Sequence, residues 1–296
     1  MTTHLKTVTS NKKITYLNTA GYNNKEEVQK LNNIIIYALL ATLGTWALTA
    51  LGASAVVFFK NPCQRILDFM MGFAAGVMIA ASFWSLLSPA IKQAKDSSLI
   101  PAYIVAATGF LAGALFMWAS DKIVSRAREK LIHDGKDNAK GTRIIMLVLS
   151  ITLHNIPEGL AVGVAFGLLG GGEITPEALL GAVSIAVGIG LQNFPEGAAV
   201  SLPLRREGYS RRKSFFLGQL SGMVEPIAGV LGAALAIYMT AVLPYALSFA
   251  AGAMILVAVH ELIPECQHSE GEQSYLATMG IISGFTVMMI LDVMLG

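Results

Sequence analysis

Two short polar insertions, each set in the middle of an apolar stretch, carry the chemistry available to this 296-residue chain. The first reads His154-Asn155-Ile156-Pro157-Glu158-Gly159 and the second Gln192-Asn193-Phe194-Pro195-Glu196-Gly197, so [His/Gln]-Asn-x-Pro-Glu-Gly recurs after 38 residues. Residues four apart share a face of a helix, which pairs His154 with Glu158 and Gln192 with Glu196. Asn155 with Glu158, and Asn193 with Glu196, form a second pairing at a spacing of three. Two such helices facing each other would bring imidazole nitrogen, carboxylate oxygen and amide oxygen into one small volume. A mixed nitrogen and oxygen set suits a borderline divalent metal, zinc first, with cadmium, iron and manganese as alternatives. Two glutamates balance one dication, and Glu225 offers a third carboxylate that could support a second ion. Amides in place of thiolates favour release, as transport requires. Pro157 and Pro195 each remove a helical hydrogen bond and free a carbonyl one turn earlier.

The elements that must position these groups are membrane-spanning helices. Mean hydropathy is +0.60, 54% of residues are hydrophobic and 14% are charged, against about 25% charged in soluble domains. From Ile34 onward, eight apolar segments are long enough to cross a bilayer, at roughly 34–59, 66–88, 101–121, 144–169, 178–204, 214–240, 244–264 and 275–295. Backbone groups in lipid must be satisfied within the segment, so the expected fold is all-α and polytopic. Residues 1–33 read as a polar, flexible or loosely helical tail without a signal peptide, and 34–296 as a single transmembrane domain. Eight spans place both termini on one side. With that side outside, the inner loops hold 14 Lys and Arg residues: two at 60–65, seven at 122–143 and five at 205–213. The positive-inside rule favours this orientation. The repeated motif then lies on two antiparallel helices, the trace of an inverted repeat, and such folds place their substrate near the bilayer midplane.

Other polar residues admit two readings each. Glu225, mid-span and followed by Pro226, is a ligand or a packing hydrogen bond. His260 and Glu261, with Glu265, close the seventh segment as interfacial residues or as a metal exit path. Met78 reads as packing, and Ser85, Asp68, Asp121 and Asp292 as helix-end or packing residues. Cys63 and Cys266 stand far apart with no metal-binding spacing, and nothing points to nucleic acid. An intramembrane zinc protease would want His-Glu-x-x-His, and a di-iron bundle two Glu-x-x-His pairs. Neither occurs in the two motifs, so an enzyme ranks below a transporter. A membrane protein with a purely structural metal remains the other alternative.

HNIPEG and QNFPEG resemble the signature motifs of the ZIP (Zrt/Irt-like protein) family of divalent-metal transporters. GFAAGVMIAAS (72–82), SGMVEP (221–226) and HELIPE (260–265) extend the resemblance over residues 34–296, in the manner of the GufA-like prokaryotic branch. The resemblance implies import of a divalent metal across the plasma (inner) membrane by a homodimer in contact with lipid, with no catalytic cofactor. It implies primary ligands His154, Glu158, Gln192 and Glu196 with Met78 nearby, and a second position using Asn155, Asn193 and Glu225. Ser85 would stand toward the outer entrance, and Asp121, His260 and Glu261 toward the inner exit. It further implies that one helix bundle slides against another. Asn193 stands where some relatives carry Asp, so the second position has one fewer negative charge. The 122–143 loop holds a single histidine, His133, where the family's loop is often histidine-rich.

Overall fold

A computed structural model describes residues 4–59, 63–97, 99–133, 139–171, 174–239, 241–267 and 272–295. Every regular element among the described residues is helical. Eight helices are long and apolar enough to cross a membrane: α1 Val28–Phe58, α2 Gln64–Asp96, α3 Ala102–Ala127, α4 Val148–Gly171, α5 Pro176–Arg206, α6 Arg211–Tyr238, α7 Leu243–Cys266 and α8 Tyr275–Leu295. They coincide with the eight expected segments to within a few residues, except that α2 runs eight residues further, through the amphipathic stretch up to Asp96. The backbone of the first helix continues back to His4, while the tail's side chains before Val28 lie outside the described residues. The turn expected at Leu243-Pro244-Tyr245 falls just earlier, and Pro244 sits in the first turn of α7, where its missing N–H costs nothing. Consecutive crossings put the Lys- and Arg-rich loops at one end of the bundle, here the basic end, and both α1's start and α8's finish at the other.

Four parallel pairs of helices organise the packing: α1 with α5, α4 with α6, α2 with α8 and α3 with α7. In lipid there is little hydrophobic drive between helices, so close backbone approach over small residues supplies the attraction. Each pair meets over a glycine. A Cβ on Gly52 would lie 1.9 Å from the Phe194 carbonyl oxygen, one on Gly163 2.0 Å from that of Gly229, one on Gly76 2.0 Å from that of Ile281, and one on Gly113 1.9 Å from that of Phe249. The pairs α1·α5 and α4·α6 join into one bundle because α1 also packs on α4 and α6. The pairs α2·α8 and α3·α7 join through the contacts of α7 with α2. Both motif helices therefore belong to the same bundle.

Two helices contain wide, π-helical turns. α2 carries a π-helical stretch at Ser82–Leu87 and α7 another at Ala258–Leu262. Such wide turns frequently accompany functional sites. The first lies toward the end opposite the basic loops and the second toward the basic end. Both helices are in the second bundle.

Candidate metal centre

α4 and α5 run unbroken through Pro157 and Pro195, and their motif faces meet in the core of the first bundle. Glu158, Gln192, Asn193 and Glu225 are fully buried, and His154, Asn155 and Glu196 are nearly so. The Gln192 side-chain amide donates to Glu158 Oε1 across the two helices. Glu158, Glu196 and Glu225 lie within electrostatic reach of one another. Five side-chain oxygens here, Asn155 Oδ1, Glu158 Oε2, Gln192 Oε1, Asn193 Oδ1 and Glu196 Oε1, are buried without a hydrogen-bond partner. Buried acceptors are normally paired, since each unpaired one forfeits about 1–3 kcal/mol. Unpaired buried oxygens on two facing motifs are groups that a cation could satisfy.

His154 does not pair with Glu158 in the way the spacing of four suggests. Its Nε2 lies 2.9 Å from Glu261 Oε1 and 3.6 Å from Asp121 Oδ1. Asp121, His154 and Glu261 offer ligand atoms within 4.8 Å of one another, a second place able to hold a metal ion. His154 thus stands between the central oxygens on its own bundle and two carboxylates on the other. His260, next in sequence to Glu261, is exposed and takes no part in this trio. Met78 is fully buried in the apolar core, where its carbonyl accepts from Ser82 Oγ.

Two cavities approach the centre from opposite ends. Toward the basic end a 60 Å³ space is lined by His154, Glu196, Glu261 and Glu265 among apolar neighbours. Toward the other end a 560 Å³ vestibule is lined by Ser85, Ser88, Lys92 and Asp292, and Ser85 Oγ lies 2.8 and 2.9 Å from the two oxygens of Asp292. Ala165 and Ile185 reach that vestibule. One turn further along α4 and α5, toward Glu158 and Gln192, Ala161 and Ile189 are buried. Of the central residues, His154 and Glu196 border the small cavity at the basic end.

α1 contributes residues that lie outside both motifs. Thr42, Thr45 and Thr49 are fully buried on one face of the helix, and the hydroxyls of Thr45 and Thr49 reach the carboxylate of Glu225. The available signal was their spacing of three and four, which aligns hydroxyls in an otherwise apolar span.

A chain of eight crossing helices, with unpartnered oxygens buried on two of them and a polar cavity toward each end, has the build of a membrane transporter for cations. Comparison with known proteins agrees. Residues 130–292 match the family model described as ZIP Zinc transporter. The chain is 41% identical to "Zinc transporter ZIP11" of Xenopus tropicalis, over 88% of this chain and 98% of that protein. It is 36% identical to "Zinc transporter GufA" of Myxococcus xanthus, over 87% and 98% respectively, and 36% identical to "Zinc transporter ZIPB" of Bordetella bronchiseptica, over 88% and 82%. The chain belongs to the ZIP family. That makes it a metal transporter and not an enzyme.

Proposed function

We propose that this protein imports zinc, carrying the ion from the side that holds both termini to the cytoplasm through a midplane centre between α4 and α5. The cluster of orphaned oxygens on the two motifs carries this reading. Glu158 and Glu196 supply the charge that cancels a dication, while Gln192, Asn155 and Asn193 supply neutral oxygen. His154 supplies nitrogen at the side facing the basic end. The basic loops favour the cytoplasm for that end, and His154 and Glu196 border a cavity there.

In this reading Ser85 and Asp292 receive the ion and Asp121 with Glu261 release it. The helix pairing supports an inverted repeat. Exchanging α4 with α5, α1 with α6, α2 with α7 and α3 with α8 maps each glycine-seamed pair onto another. The same exchange maps one π-helical stretch onto the other, and Ser85–Asp292 onto Glu261–Asp121. The ion's ligands ride on the first bundle, and the polar pair at each end belongs to the second. Sliding of one bundle past the other would present the same ligands to each end in turn. Because His154 touches Glu261, Glu261→Ala should slow release, lowering the maximal uptake rate several-fold with little change in half-saturation.

Uptake of radiolabelled zinc by protein reconstituted in liposomes tests the proposal, with wild type beside His154→Ala/Glu158→Ala. Saturable uptake that the double substitution abolishes is the expected result. No zinc uptake by the wild type, in either direction of the gradient, would overturn it.

A further inference from the structure

Glu225 is the one central carboxylate with its oxygens already claimed. Thr45 Oγ1 donates to Oε2, Asn193 Nδ2 donates to the same oxygen at 2.8 Å, and Thr49 Oγ1 reaches Oε1 at 3.4 Å. The three donors come from α1 and α5, so Glu225 ties both to α6. Asn193 Nδ2 also lies 3.4 Å from the Thr45 carbonyl. The backbone around Glu225 is shaped for this contact. A short 3₁₀ turn at Ser221–Met223 precedes it, and a Cβ on Gly222 would stand 2.9 Å from Thr49 Oγ1 and 3.0 Å from Glu225 Oε1. The absence of a side chain there lets the carboxylate lie back against α1.

A carboxylate that ligates a metal directs oxygen lone pairs at the ion. Here amide and hydroxyl protons meet those lone pairs. Asn193 is the decisive residue, because its nitrogen faces Glu225 while its oxygen is left among the unpartnered acceptors of the centre. An aspartate in its place would set two carboxylates against each other and require a cation between them. The side-chain N–H fills that role without an ion. Resting on the zinc-transport reading, we propose that Thr45 and Thr49, with Asn193, are positioning residues that hold Glu225 out of the metal's coordination sphere. The centre then takes a single divalent ion, held by Glu158 and Glu196, and Glu225 serves as the strut joining α1, α5 and α6.

Equilibrium dialysis of the purified full chain against radiolabelled Cd²⁺ tests this, scoring only ions whose binding is lost in Glu158→Ala. Wild type should bind one such ion per chain. Asn193→Asp, which turns a donor into an acceptor beside Glu225, should bind two. Adding Thr45→Val to that variant should tighten the second ion about tenfold, because the hydroxyl no longer competes for Glu225. Adding Thr45→Ser instead should leave the second ion unchanged, which a purely structural effect of position 45 would not predict. Two Glu158-dependent ions in the wild type, or one in Asn193→Asp, would overturn the proposal. Equal second-ion affinity in the Val and Ser variants would remove Thr45 from it. A wild type without any Glu158-dependent ion would instead defeat the transport reading on which it rests.

Discussion

Glu158→Ala will reduce zinc uptake in liposomes by at least two to three orders of magnitude, to the level of protein-free vesicles. Glu158 is fully buried at the meeting of α4 and α5, with one oxygen bonded by Gln192 and the other unpartnered. A divalent ion at membrane depth needs two negative ligands to be neutral, and the chain offers Glu158 and Glu196 on opposite motif helices. Removing one partner of a buried charge pair costs about 3–5 kcal/mol, because the remaining charge stays uncompensated. Each 1.4 kcal/mol is a factor of ten in affinity, which gives the size of the expected loss. Glu158→Gln separates charge from shape. It keeps the side chain's length and can still meet Gln192, yet it should fail to transport almost as completely. Transport by Glu158→Gln at the wild-type rate would show that charge balance is not what the two glutamates provide. Glu196→Ala should behave like Glu158→Ala, and wild-type flux in it would remove α5 from the ligand set.

Much of this centre was legible because lipid makes polar residues conspicuous. Eight apolar runs dictate eight helices, and a motif repeated on two of them marks where cost has been accepted for function. The helical period put Gln192 and Glu196 on one face of α5, and the expectation that the two motif helices face each other matches the Gln192–Glu158 hydrogen bond. It did less well with His154. Its spacing of four from Glu158 aligns the two on one face, but α7 approaches that face and brings Glu261 to the imidazole. Nothing local encodes a contact between residues 107 positions apart. The π-helical stretches were equally hidden, since they reflect packing and not propensity. Thr45 and Thr49 were missed for a different reason. A threonine in an apolar helix can return its hydroxyl to its own backbone, as Thr42 does to the Ala38 carbonyl at 2.8 Å. Only the arrival of α6 distinguishes Thr45, whose hydroxyl reaches Glu225, from Thr42.

Gly163→Ala should be among the most damaging single-methyl changes in the first bundle, and Gly44→Ala one of the most benign. The two glycines lie in neighbouring helices of the same bundle, so residue type and bundle do not separate them. Packing does. A Cβ at position 163 would come within 2.0 Å of the Gly229 carbonyl oxygen and 2.7 Å of its Cα, all rigid backbone. A Cβ at position 44 would meet nothing within 4 Å. Overpacking in a close-packed interior costs about 1–3 kcal/mol even where side chains can yield, and here no side chain is available to move. α4 and α6 must part by more than an ångström. The adjacent contact, where a Cβ on Gly159 would stand 2.6 Å from the Glu225 carbonyl oxygen, shows that this seam also sets the position of Glu225 relative to Glu158. Gly163→Ala should therefore lower the thermal unfolding midpoint in detergent by several degrees. In whatever folded protein remains, it should weaken zinc binding by more than tenfold. Gly44→Ala should leave the midpoint within a degree or two and the affinity unchanged. If the two substitutions shift stability equally, then the bundle is not held by close approach of α4 to α6, and a sliding motion would have no rigid body to carry its ion. If Gly163→Ala lowers stability but spares zinc affinity, the seam holds the bundle together without aligning the ligands. The geometry of the centre must in that case be set across α4 and α5 alone, through Gln192 and Glu158.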